Sequence, residues 1–279
     1  MSEHETHEQR HTRASEVFSR FAPGVEPERV ARSFTNRLGA LGSFAFDVVG
    51  HMWSRPELSR RDRSLMIISV LAAQGRDEEL EGHTTIGLHH GLTRSEIEEI
   101  NLHVAAYAGF PAAMAANRYM DTAFKKADGV ADLPRRTGVP PKSDEQREID
   151  GSDILRTLTN GLMGTDPTAD AASLKARLGD IGAIAHRWAF GEIWSRPELS
   201  RRDRSLVVIS ILVAIQALDE LKIHVRGGLQ HGLTRVEIDE IVTHLSLYCG
   251  IPRALDAQRA VKATYAAIDD TAATGSRPG

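Results

Sequence analysis

Residues 53–65 read WSRPELSRRDRSL, and residues 194–206 repeat the same thirteen letters. Identity of that length inside one chain marks an internal duplication, which has to be settled before any local reading because it sets the architecture. The match runs on without a gap. Glu79, Leu80 and His83 answer Glu220, Leu221 and His224; HGLTR stands at 90–94 and 231–235; Tyr107, Gly109 and Pro111 answer Tyr248, Gly250 and Pro252. Upstream, after a one-residue indel, Arg37-Leu38-Gly39 pairs with Arg177-Leu178-Gly179. The repeats therefore occupy roughly 14–127 and 152–266 of the 279 residues, each the size of a small domain. Residues 128–151, with their glycines, prolines and charges, read as a surface linker, and 1–13 and 267–279 read as polar tails.

The punctuation inside each repeat is helical. Ser59 and Ser200 follow a proline and precede Asp62 and Asp203 by three, the pattern of a helix N-cap with acidic support in the first turn. The segment from Leu65 to Ala73 is apolar on every face and reads as a buried central helix. A second helix runs from about Asp77 to His90 and stops at Gly91, a left-handed cap position. Thr93-Arg-Ser-Glu96 and Thr234-Arg-Val-Glu237 are capping boxes that open a third helix, and Pro111 suits the first turn of a fourth. No stretch sustains strand alternation, so the expected fold class is all-α: two tandem helical repeats forming a pseudo-dimer.

Composition narrows the function classes. With 26% charged and 41% hydrophobic residues and a formal charge of −4, the chain has the make-up of an ordinary globular protein without a basic run, which argues against nucleic acid as the main partner. The longest apolar stretches fall short of the roughly 20 residues that a bilayer crossing needs, and MSEHETHEQRHTR does not read as a secretory signal, so no membrane partner and a cytoplasmic address are expected. Cys249 is the single cysteine, which leaves no intrachain disulfide, CxxC pair or cysteine-based zinc site. Neither a phosphate-binding glycine loop, a GxSxG elbow nor an HExxH motif occurs.

The residues left to carry chemistry are histidines with carboxylates one turn away. Glu79, His83 and His90 lie in one helical stripe, and Glu220, His224 and His231 repeat it. A carboxylate at i−4 can orient an imidazole and raise its pKa, and the helix C-terminus favours the imidazolium at His90 and His231. The plainer alternative is a surface Glu-His pair followed by a capping histidine. His103 and His244, each with a glutamate one turn earlier (Glu99, Glu240) and a tyrosine one turn later (Tyr107, Tyr248), form a second recurring set that reads equally as a solvated face ending in a packed tyrosine. A metal site within the bundle is a further alternative, weakened because no complete Glu-x-x-His pairing appears.

At these residues the chain resembles the carboxymuconolactone decarboxylase family of the alkylhydroperoxidase-D-like superfamily. The segments that carry the likeness are AFGEIWSRPELSRRDRSL, ELKIHVRGGLQHGLTRVEIDEI and YCGIP in the second repeat, with WSRPELSRRDRSL, GRDEELEGH and HHGLTRSEIEEI in the first. The resemblance implies helical subunits that assemble into rings, so a trimer of two-repeat chains is the expected oligomer. The peroxidase branch of the superfamily uses CxxCxxxH; here Arg76 and Glu79, or Ala217 and Glu220, stand at the cysteine positions, which removes the thiol nucleophile. The decarboxylase branch implies a lyase without cofactor or metal, acting on 4-carboxymuconolactone or a related small anionic lactone.

On that reading His83 and His224 transfer protons, Glu79 and Glu220 orient them, and Arg76, His90, His231, His103, His244, Tyr107 and Tyr248 line the substrate pocket. A non-catalytic scaffold and a metal-dependent helical enzyme are the alternatives. Departures from the family pattern fall where a pocket would be lined. His89-His90 and Gln230-His231 replace the usual Asn-Asn, and His103 and His244 stand where Gln is common. The two pockets are also expected to differ, because Arg76 faces Ala217, His89 faces Gln230 and Ala112 faces Arg253 across the repeat.

Overall fold

The computed structural model describes residues 5–133, 138 and 140–275, and among them there is no strand. The first repeat contributes α1 (His7–Phe21), α2 (Pro27–Leu38), α3 (Ala40–Ser54), α4 (Arg60–Gln74), α5 (Asp77–His89), α6 (Arg94–Tyr107) and α7 (Phe110–Asp128). The second contributes α8 (Asp144–Leu158), α9 (Pro167–Leu178), α10 (Asp180–Ile184), α11 (Arg201–Ile215), α12 (Leu218–Gln230), α13 (Arg235–Cys249) and α14 (Ile251–Gly275). The counterpart of α3 is α10 continued by a π-helical segment, Ala185–Trp194.

The caps fall where the sequence puts them. Ser59 and Ser200 accept the Asp62 and Asp203 backbone N–H groups, and both Thr93 and Thr234 close capping boxes. Gly91 adopts the left-handed φ of 90° that ends this turn without a Cβ penalty. Two boundaries differ from expectation. Thr6 caps a helix that begins at His7, so the expected N-terminal tail is helical from His7 onward, while residues 1–4 lie outside the described residues, and α14 continues to Gly275, into the expected C-terminal tail. The linker is likewise partly ordered structure: α8 starts at Asp144, and Lys142 reaches Asp150 at 2.7 Å and Ser195 at 2.6 Å. Residues 134–137 and 139 of that linker and the end of the tail, 276–279, lie outside the described residues.

The core is built on α4 and α11, which pack against each other at the centre of the molecule. From Leu65 to Ala72 and from Leu206 to Ala214 every residue is buried, which is why neither helix shows a polar face. Burying each such aliphatic side chain stabilises the fold by about 1.5–3 kcal/mol. Around the N-termini of these two helices the charges are reciprocal. Arg61 reaches Asp203 at 2.9 Å and Glu96 at 2.5 Å, while Arg202 reaches Asp62 at 3.0 Å and Glu237 at 2.5 Å. Residue i touching j while i's twin touches j's twin is the contact pattern of a two-fold relation. The SRRDRS run of each repeat thus ties the two repeats together.

Candidate active site

Two aromatic and histidine clusters flank the central helices, and each is assembled from both repeats. In the first, Trp53 from α3 donates its indole N–H to the Tyr248 hydroxyl of α13 at 3.2 Å. His83 from α5 meets the Tyr248 ring edge-on at a centroid distance of 5.5 Å and lies over Trp53 at 6.3 Å. His244 stands edge-on to Trp53, and His90 closes the group with its Nδ1 on the Ser64 hydroxyl at 2.8 Å. In the second cluster Trp194 donates to the Tyr107 hydroxyl at 2.8 Å, and that hydroxyl is 3.2 Å from His224 Nε2. The Tyr107 oxygen accepts from Trp194, so its own hydrogen is available to His224. His103 and His231 take the places of His244 and His90.

Buried ion pairs hold these rings from behind. Glu240 accepts Arg55 through both oxygens at 3.0 and 2.8 Å and Arg63 at 2.8 Å, and Arg63 also donates to His244 Nδ1 at 2.7 Å. In the twin, Glu99 accepts Arg196 at 2.6 Å and Arg204 at 2.9 Å. Arg63 and Arg204 are wholly buried and each pairs with a glutamate of the other repeat, so the sites depend on the repeats staying docked. His103 differs in detail: its Nδ1 donates to the Glu99 carbonyl at 2.9 Å.

Burial sets the protonation of the cluster. It pushes the His83 imidazole down to about 4 and His224 down to about 3, with His90 and His231 adding smaller repulsions. His103 falls to about 3 through burial and then Arg204, and His244 falls well below its ordinary value through burial and then Arg63. His90 and His231 fall to about 4, again chiefly by burial, so the expected imidazolium at the helix end is not formed near neutral pH. Desolvation outweighs the helix dipole because that dipole effect is only about 0.3–1 kcal/mol at such positions. Burial raises the hydroxyls of Tyr107 and Tyr248, which stay protonated.

The structure gathers most of the sequence candidates and leaves out three. His83, His90, His244 and Tyr248 meet in one cluster; His224, His231, His103 and Tyr107 meet in the other. Glu79 and Glu220 are solvent-exposed, and neither makes a hydrogen bond or ion pair with its histidine. The expected orienting role at i−4 therefore does not arise, because those carboxylates lie on the outer side of α5 and α12. The buried glutamates among the described residues are Glu99 and Glu240, in the set that also reads as a solvated face. Arg76 is exposed, outside the histidine cluster, on a cleft of about 550 Å³ lined also by Ala73, Gln74, Ala214, Ile215, Tyr248, Cys249 and Arg253. Trp53, Trp194, Arg63 and Arg204 were legible only as part of the duplicated WSRPELSRRDRSL run, whose helical spacing does not reveal partners in the other repeat. Among the described residues no group of three histidine, cysteine or acidic side chains is arranged to hold a metal ion.

Comparison with known proteins falls on the same segments. The profile of the carboxymuconolactone decarboxylase family matches twice, over residues 40–122 and 180–263. A 4-carboxymuconolactone decarboxylase of Acinetobacter baylyi is 45% identical over 73 residues, 26% of this chain and 54% of that protein. A nitrosuccinic acid decarboxylase of Metarhizium robertsii is 41% identical over 70 residues, 25% of this chain and 49% of that protein. The chain thus spans about half the length of the curated relatives it matches.

Proposed function

The chain belongs to the carboxymuconolactone decarboxylase family, and from that premise we propose that it is a cofactor-independent carboxy-lyase acting on 4-carboxymuconolactone or a related small carboxylated anion. The observation that supports this reading most is a pairing made twice: an imidazole kept neutral by desolvation, set edge-on against a tyrosine of the opposite repeat. Decarboxylation breaks one carbon–carbon bond, releases carbon dioxide and leaves the electron pair on the substrate. In a lactone that pair moves through the ring double bond onto the carbonyl oxygen; in an α-nitro acid it moves onto the nitro group. The substrate thus supplies its own electron sink, and the protein has to supply a donor for the developing oxyanion, a proton for carbon and a dry pocket.

The clusters have those parts. Tyr248 and Tyr107 are protonated donors, and a preorganised donor in a desolvated site acts on the oxyanion more strongly than water does. His83 and His224 are neutral in the free protein because burial disfavours the cation. A carboxylate brought against the ring reverses that preference, so a proton is taken up with the substrate and is then the one delivered to carbon. Glu240 acts at one remove, holding Arg63 and through it the His244 ring, while Glu99 holds Arg204 and accepts the His103 ring at its own backbone carbonyl.

The test is turnover of 4-carboxymuconolactone and of nitrosuccinic acid by the whole chain, followed with His83→Ala and His224→Ala after circular dichroism confirms folding. Loss of a proton-transfer group lowers the rate by about a hundredfold or more. Absence of turnover on both substrates overturns the proposal, as does full activity in both variants. Dialysis against EDTA leaves the rate unchanged. The chains are also proposed to self-associate, since Leu41 and Phe44 in the first repeat and Ile181 and Ile184 in the second are exposed at equivalent positions. Light scattering then gives a mass above the 30.6 kDa of one chain.

A further inference from the structure

We infer that Arg76 and Arg253, one from each repeat, form an anion dock that serves the Trp53, His83, Tyr248 cluster alone, so that one anionic substrate binds per chain and the second cluster lacks this dock. The inference deepens the decarboxylase reading and rests on it for the identity of the substrate. Arg253 belongs to the second repeat in sequence, yet α14 brings it to the cleft that carries Arg76 and opens on Tyr248. Among the described residues neither guanidinium pairs with a carboxylate, and Arg253 donates to the Ala214 carbonyl at 3.2 Å. Cys249 beside them stays a neutral thiol, raised to about 11 by burial, so it does not cancel their charge.

The twin positions show what the second cluster lacks. Across the duplication Arg76 becomes Ala217, Arg253 becomes Ala112, Gln74 becomes Ile215 and Cys249 becomes Ala108, while Tyr248 is kept as Tyr107. Every charged group of the dock is lost and the tyrosine remains. The hydrogen bonds differ in the same sense. His83 makes none to a described residue and its Nδ1 is buried without a partner, and His90 Nε2 is also unpartnered. In the twin, His224 Nδ1 is likewise buried without a partner, but its Nε2 is taken by Tyr107, and His231 is held at both nitrogens, by Ser205 at 2.7 Å and by Thr157 at 2.8 Å. His83 and His90 thus each keep one more unbonded nitrogen than their twins, and Tyr248 of the same cluster borders the cleft that carries the two cations.

A backbone feature supports the dock. Gln216 holds a left-handed φ of 60°, where the first repeat has Gly75, and its side-chain amide donates to the Arg253 carbonyl at 3.2 Å. Such a conformation is unfavourable for a residue with a Cβ and persists only where the surroundings hold it.

Isothermal titration of the full chain with succinate, a small dicarboxylate probe, tests the dock without requiring turnover. The expected result is one site per chain, weakened about tenfold or more for each arginine removed in Arg76→Ala and Arg253→Ala. The reciprocal variant Ala112→Arg with Ala217→Arg raises the count to two. No succinate binding, two equivalent sites in the native chain, or binding indifferent to both arginine replacements overturns the inference. If the graft does not fold, the native count and the arginine variants decide alone. One-site, arginine-dependent succinate binding without turnover of either decarboxylase substrate leaves the dock standing and removes only the reaction.

Discussion

Replacing Glu99 by Gln removes one charge and almost no volume, and the structure predicts that this costs the protein about 3 kcal/mol. Glu99 is 2% exposed and accepts Arg204, which is 0% exposed, together with Arg196 from the other repeat. Burial already works against the Arg204 charge. Breaking a buried pair by removing one partner costs about 3–5 kcal/mol, because the remaining charge stays desolvated without compensation. The lower end applies here. Arg204 keeps the Leu199, Ile193 and Arg196 carbonyls as acceptors at 3.1, 3.0 and 2.7 Å, and a glutamine oxygen can still accept one bond. What disappears is the counter-charge. Urea unfolding followed by tryptophan fluorescence measures the loss, with Asp256→Asn as the control: that residue's pair with Arg259 is exposed and contributes at most about 1 kcal/mol. A Glu99→Gln loss no greater than the control's would refute the claim that this pair bears the junction between the repeats.

Acid should unfold the protein early. For His83, His103 and His224 the folded pKa lies below the unfolded value of 6.5, so the unfolded chain binds more protons, and stability falls as pH drops below 6.5 until it levels near 3 to 4. At pH 5.5 each contributes about 1.4 kcal/mol of destabilisation, which makes the three together comparable to much of a typical domain's stability, and urea midpoints at pH 7.5 and 5.5 check it. Gly191→Ala would set a Cβ 2.1 Å from the Arg147 carbonyl, forcing the π-helical segment off α8 at a cost of about 1–3 kcal/mol; an unchanged thermal midpoint contradicts that packing. Tyr107→Phe removes the acceptor of the Trp194 indole N–H and should shift the tryptophan emission, whereas an unaltered spectrum argues against the bond.

The duplicated run at 53–65 and 194–206, the serine and threonine caps and the unbroken apolar stretch of α4 determined the repeat, its helices and their class from the sequence alone. All of these are local: a cap satisfies an N–H three residues away, and helical periodicity is a property of neighbours along the chain. The same locality explains why Glu79 and Glu220 looked like partners of His83 and His224. Spacing by four shows that two side chains share a helix face but not whether that face is turned to solvent or to another helix. Only the docking of the repeats decided that the tyrosine beside His83 is Tyr248, that the carboxylate behind His244 answers Arg63, and that Arg76 and Arg253 share a cleft. These contacts join residues well over a hundred positions apart through a two-fold relation, and burial at that junction, rather than any neighbour in sequence, sets the charge of the histidines.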